Sequence, residues 1–128
     1  MTRANGKSPS PRQLKVGEEI KRILAEALSR GEVFSPLFPS SDVIVSEARV
    51  SPDFSVAKVF VATLGGGREQ ELLDFLAKVK GQLRKILGSK IKLRVTPDLT
   101  FIADKSFGEA ARIEELLYRP EVKRDLQS

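Results

Sequence analysis

Apolar residues recur at Val16, Ile20, Ile23, Leu24, Ala27 and Leu28, in steps of three and four that place one stripe along a helix. The pattern begins at Arg12 and stops near Gly31, so a first amphipathic helix is expected there, with Glu18 and Arg22 spaced for an i,i+4 pair on its polar side. Residues 32–41, which include Pro36 and Pro39, read as a loop. Beyond them the period changes from helical to alternating. Residues 43–50 and 56–64 are rich in β-branched side chains, and Ser51, Pro52 and Asp53 between them suit a turn with Pro in its second position. Two antiparallel strands are expected, the second with Ala57, Val59 and Val61 on one face and Lys58 and Phe60 on the other. Gly65, Gly66 and Gly67 make the next break. They stand beside Arg68 but lack the Lys and Ser/Thr of a phosphate-binding P-loop, so they are read as a connector and no nucleotide site is assigned.

Leu72, Leu76, Val79, Leu83 and Ile86 then predict a helix over 69–87 with one buried stripe, stopped by Gly88 and Ser89. Lys78, Gly81 and Lys85 fall opposite that stripe and Arg84 on its flank. A glycine inside a helix costs about 1 kcal/mol relative to Ala, which points to a bend or a close backbone approach at Gly81. Ile91, Leu93 and Val95 alternate with Lys92 and Arg94, and Leu99, Phe101 and Ala103 with Thr100 and Ile102. The pattern predicts a third strand, bent or interrupted at Pro97, with its basic residues outward. Ser106 and Glu109 have capping-box spacing for a last helix carrying Phe107, Ala110, Ile113, Leu116 and Leu117 on its apolar side. Residues 1–11 are too polar to offset the entropy of ordering and read as a flexible tail, as do residues 119–128, leaving one domain over 12–118. With no internal repeats, the order helix, strand, strand, helix, strand, short helix is that of an α+β domain with its helices packed on one face of a three-stranded sheet.

A chain of 128 residues is long enough for one real core. The absence of His and Cys removes most zinc sites, imidazole-dependent triads and thiol chemistry, so no metal or other cofactor is expected and an enzyme would have to rely on carboxylates or Lys. The adjacent pairs Glu18–Glu19 and Glu114–Glu115 point in different directions on their helices and make no acid/base pair. No apolar run approaches the roughly 20 residues that span a bilayer, and residues 1–15 lack the hydrophobic stretch of a secretory signal. A soluble, cytoplasmic protein is expected. A basic, acid-free start also suits an organellar transit peptide, although this one is short and shows no amphipathic helix.

The net charge of +5 is unevenly placed. Arg3, Lys7, Arg12 and Lys15 precede the first acid, whereas residues 18–77 carry an excess of acids. Residues 78–94 then hold Lys78, Lys80, Arg84, Lys85, Lys90, Lys92 and Arg94 with no acid anywhere from 75 to 97. A solvated helix face normally mixes both signs, so this cluster points instead to phosphates, whose binding needs several cations on one surface. Arg12 and Lys15 are candidates to extend it. Base stacking is less supported, because most of the seven Phe sit in apolar patterns; Phe34 and Phe38, in the Pro-containing loop, are the candidates. Recognition of a folded RNA by shape and phosphate fits this composition better.

Two long stretches make the chain resemble a known family. Val50-Ser-Pro-Asp-Phe-Ser-Val-Ala-Lys-Val-Phe-Val61 and Leu83-Arg-Lys-Ile-Leu-Gly-Ser-Lys-Ile-Lys-Leu-Arg-Val-Thr-Pro-Asp-Leu-Thr-Phe-Ile-Ala-Asp104 closely resemble ribosome-binding factor A. Arg12, Val16 and Ile20 match that family's first helix, and Ile113, Leu116 and Leu117 its closing one. The resemblance implies a type II KH-like fold and binding to the small (30S) ribosomal subunit and its 16S rRNA precursor during late assembly. It further implies maturation of the rRNA 5′ end and growth in the cold, performed by a monomer without catalysis and without a membrane partner. Ordinary KH domains clamp nucleic acid with a G-x-x-G loop, which is absent here; the family has an Ala-x-Gly helical kink, and the matching residues are Val79, Lys80 and Gly81, with Val in place of Ala. A second reading is a protein-interaction module that docks on a ribosomal protein or an assembly GTPase through the exposed sheet or the loop from Phe34 to Phe38.

Overall fold

The structure, a computed structural model, describes residues 8–105, so the helix expected from Ser106 onward, the tail 119–128 and residues 1–7 of the N-terminal stretch lie outside the described residues. The first helix, α1, spans Pro11–Ser29. It starts one residue before the apolar pattern because Ser10 and Gln13 form a capping box: the Ser10 hydroxyl accepts from the Gln13 N–H at 3.1 Å and Gln13 Oε1 accepts from the Ser10 N–H at 2.9 Å. Pro11 occupies the first turn, where its missing N–H costs nothing, so the end of the polar 1–11 stretch belongs to the helix cap. Arg22 pairs with Glu26 at 3.9 Å, which also approaches Arg30 at 3.8 Å, rather than with Glu18.

Strands β1 (Val43–Val50) and β2 (Val56–Thr63) are antiparallel, in register from Val43 opposite Thr63 to Val50 opposite Ala57, with an irregularity between Val45 and Glu47. The turn between them closes with the Phe54 N–H donating to the Ser51 carbonyl at 2.9 Å, as Pro52 in the second position favours. After β2 the chain reverses through Gly65, Gly66 and Gly67, whose φ values of 88°, 83° and 75° a side chain would resist. Helix α2 follows over Glu69–Lys90, and β3 (Asp98–Ala103) returns parallel to β2, giving the sheet order β1-β2-β3. The described part is thus the α-β-β-α-β portion of the expected KH-like α+β fold, with both helices on the sheet.

The core lies between helices and sheet. Ile20, Leu24, Leu72, Leu76, Leu83, Ala57, Val59, Val61 and Leu99 are fully buried there, each large aliphatic side chain contributing about 1.5–3 kcal/mol. Gly17 lets α1 lie directly on β1: a Cβ at this position would stand 2.5 Å from the Ala48 carbonyl oxygen. On the opposite face of β2, Lys58 is exposed and Phe60 half-buried beneath the Arg49 guanidinium, 5.4 Å from its ring centre.

Two expectations are corrected. Helix α2 does not stop at Gly88 and Ser89 but runs through them to Lys90, closing with the Ile91 N–H on the Leu87 carbonyl at 2.9 Å. Gly88 marks a close approach, since a Cβ on it would meet the Thr96 hydroxyl at 2.7 Å. Residues 91–97 are also not a strand. Pairing between β2 and β3 begins at Val56 opposite Asp98, supported by the Asp98 N–H on the Ser55 carbonyl at 2.9 Å. Before Val56 the neighbouring chain is the β1–β2 turn, so residues 91–97 have no partner strand among the described residues; Ile91 is buried, Leu93 half-buried and Val95 exposed.

Candidate nucleic-acid interface

The buried stripe of α2, through Leu72, Phe75, Leu76, Val79, Leu83 and Leu87, fixes which of its cations face solvent. Lys78, Lys85 and Lys90 are exposed on it, and Lys92 and Arg94 are exposed on the irregular segment that follows, not on a strand. The helix remains α-helical through Val79, Lys80 and Gly81. Gly81 is exposed and a Cβ there would meet nothing within 4 Å among the described residues, so the close approach expected at this glycine is found instead at Gly17, against backbone, and at Gly88, against the Thr96 side chain.

Two members of the cluster have work inside the fold. Arg84 donates from Nη2 to the Thr96 carbonyl at 2.8 Å and from Nε to the Pro97 carbonyl at 3.0 Å. This fork fastens the end of segment 91–97 to α2, a geometry that suits a planar guanidinium and not an ammonium. Lys80 reaches Asp98 at 3.5 Å, an exposed pair of small energetic weight. Arg84 therefore holds in place the segment that presents Lys92 and Arg94. Lys78, Lys85, Lys90, Lys92 and Arg94 have no ion-pair partner among the described residues.

The fold also brings together residues far apart in sequence. Arg12, Arg84 and Arg94 line one cleft of about 480 Å³ with Asp53, Phe54 and Thr96. Its wall at Arg12 is fixed by Gln13, whose Nε2 donates to the Val50 carbonyl at 3.1 Å and ties α1 to the end of β1. The Arg12 guanidinium lies over the Phe54 ring, 4.6 Å from its centre. A second cleft, about 370 Å³, is lined by Gly81, Arg84, Lys85, Gly88 and Thr96, so Arg84 and Thr96 stand between the two. Lys15 is not part of this constellation: it lines a separate groove with Glu18, Glu19, Lys21 and Arg22, where both charge signs mix.

Phe54 and Asp53 were not singled out by periodicity, because a turn residue carries no face. Asp53 Oδ1 accepts from the Ser55 and Ser51 hydroxyls, each at 2.8 Å, and from the Ser55 N–H at 3.1 Å. These bonds, led by the Ser55 hydroxyl, hold its carboxyl below the ordinary aspartate value. Of the two loop aromatics considered for stacking, Phe38 is a core residue, 5.8 Å from Phe75 between ring centres and covered by Arg68. Phe34 is 77% exposed. No cluster of three or more His, Cys, Asp or Glu able to hold a metal occurs among the described residues, and no helix among them is long and apolar enough to cross a membrane.

The sequence profile described as Ribosome-binding factor A matches residues 12–117. A ribosome-binding factor A from Rhodospirillum rubrum is 46% identical over 126 residues, covering 98% of this chain and 77% of that one. Another, from Roseobacter denitrificans, is 42% identical over 120 residues, with 94% and 84% covered. Among solved structures, the crystal structure of ribosome-binding factor A from Thermus thermophilus is similar at a TM-score of 0.62 and 25% identity, covering 71% of this chain and 93% of that one. A homology model of the Thermus thermophilus ribosome binding factor A, fitted into the cryo-electron-microscopy map of a 30S complex, is similar at a TM-score of 0.55 and 28% identity, with 70% and 91% covered.

Proposed function

The chain belongs to the ribosome-binding factor A family, and on that basis we propose that it binds the small (30S) ribosomal subunit and its 16S rRNA precursor through the basic surface of α2 and segment 91–97. The observation that carries this reading is the acid-free run of residues 75–97, which leaves Lys78, Lys85, Lys90, Lys92 and Arg94 without ion-pair partners among the described residues. Unpaired cations on one side of a domain release counterions when they meet phosphates, which is the main source of affinity for a folded RNA. Arg84 acts in this account by holding segment 91–97, and Arg12 contributes from α1, whereas Lys15 stands apart in its mixed-charge groove. The role is that of a maturation factor: it holds or remodels rRNA late in assembly, up to processing of the 5′ end, supports growth in the cold, and works in the cytoplasm as a monomer with no cofactor and no catalysis of its own.

Co-sedimentation of the purified protein with immature and mature small subunits at several salt concentrations tests this reading. Salt-sensitive binding that favours the immature particle is expected; equal or absent binding contradicts it.

Docking on a ribosomal protein or an assembly GTPase is a second reading, favoured by Phe34 and Leu37, which are 77% and 50% exposed on the loop before β1. A pull-down from cell extract that survives RNase supports it.

A further inference from the structure

The cleft of about 480 Å³ gathers the start of α1 at Arg12, the β1–β2 turn at Asp53 and Phe54, Arg84 of α2, segment 91–97 with Arg94, and Asp98 at the start of β3. Its size lies in the range of sites that hold a small organic molecule. We propose that it seats a single unpaired nucleotide of the bound RNA, with the base stacked on the Arg12–Phe54 pair and the adjoining phosphate on Arg94. This rests on the RNA-binding reading above and adds to it a recognition element that helix charges alone do not provide.

Three observations support a nucleotide over a bare anion. Arg12 is exposed, and its guanidinium carbon already sits over an aromatic ring, 4.6 Å from the centre. A base placed on the outer side of that guanidinium continues the stack, an arrangement used widely for splayed-out RNA bases. Arg94 is exposed and without an ion-pair partner among the described residues, so it is free to accept a phosphate. Asp53, with Oδ1 held by Ser51 and Ser55, and Asp98 line the same cleft and are carboxylate acceptors suited to a base amino group. The pieces are held together without ligand: Gln13 ties α1 to Val50, and Arg84 ties α2 to Thr96 and Pro97. Little ordering is left to be done on binding.

The test compares two RNA hairpins of the same length and stem sequence, one with a single bulged nucleotide and one fully paired, by fluorescence anisotropy with the full chain. The wild type is expected to bind the bulged hairpin about tenfold more tightly, the range of one base stacked on a protein ring system. Arg12→Lys, which keeps the charge but loses the plane, is expected to lower affinity for the bulged hairpin to that for the paired one, so that the preference is lost; Arg94→Gln weakens both, and the bulged one more. Equal wild-type affinity for both hairpins overturns the cleft and leaves the RNA-binding surface standing. Failure to bind either hairpin removes the RNA-binding reading itself, and the cleft with it. A preference that survives both substitutions places the unpaired nucleotide elsewhere and also overturns the proposal. If adenosine monophosphate displaces the bulged hairpin at comparable concentration, the cleft serves a free nucleotide and the assignment to RNA fails.

Discussion

The Arg84 guanidinium donates to the Thr96 carbonyl at 2.8 Å across the seam between α2 and the segment that precedes β3. A residue that reads as one more phosphate contact is an internal fastener, and the cations downstream depend on it. Arg84→Lys preserves charge but cannot serve both the Thr96 and Pro97 carbonyls with one planar fork. We expect a loss of about 1.5 kcal/mol, at the lower end for charged hydrogen bonds because the site is partly exposed. Amide exchange over residues 92–97 should also accelerate. Exchange rates equal to wild type would show that the fork holds nothing.

Two glycines with opposite surroundings give opposite expectations. In Gly17→Ala the new Cβ falls 2.5 Å from the Ala48 carbonyl oxygen, which is backbone in β1 and cannot swing aside, so α1 must lift. Urea unfolding is expected to show a loss of about 2 kcal/mol, typical of overpacking. Gly81→Ala meets open space among the described residues and should gain about 1 kcal/mol from helix propensity. A destabilised Gly81→Ala would mean that the Val79-Lys80-Gly81 step needs a bend that alanine resists.

Asp53 sets an acid limit on the β1–β2 turn. Its pKa is lowered in the folded state by the Ser55 hydroxyl first, then by Ser51 and the Ser55 N–H. A lowered folded value means that its contribution is complete above the ordinary aspartate range and fades as pH falls through that range to the folded value; neutral and alkaline pH leave it untouched. In Ser55→Ala, an NMR titration of the Asp53 carboxyl carbon should move up toward the ordinary value. A titration unchanged by the substitution would assign the shift to another cause.

Periodicity made most of the fold legible. The alternation in 43–50 and 56–64 and the stripe through Val16, Ile20 and Leu24 correspond to β1, β2 and α1 nearly residue for residue, because one buried face leaves a period in the chain. The same argument misled at Ile91, Leu93 and Val95. Alternation tells which side chains could share a face, but a strand also needs a neighbour to pair with, and β2 begins only at Val56. Gly88 looked like a stop because its reason for being glycine, the Thr96 hydroxyl, comes from a segment after the helix. The charge cluster was visible as composition, yet its division into Arg84 as fastener, Lys80 as a partner of Asp98 and five cations without ion-pair partners among the described residues required three dimensions. Arg12 on Phe54 belongs to the same class: residues 42 positions apart meet because α1 packs on β1, a placement the Gln13–Val50 bond reinforces.

The central claim is that the cations without ion-pair partners on α2 and segment 91–97 meet RNA phosphates, and the salt dependence of affinity counts them. If Lys78, Lys85, Lys90, Lys92 and Arg94 all contact duplex phosphates of small-subunit rRNA, the slope of log affinity against log salt should lie at about −4 to −5. Lys85→Glu combined with Arg94→Glu, in a variant whose unfolding transition matches wild type, should reduce the slope by about 2. A wild-type slope in that double variant would contradict the account, because the charges that define the surface would then make no contact with the RNA.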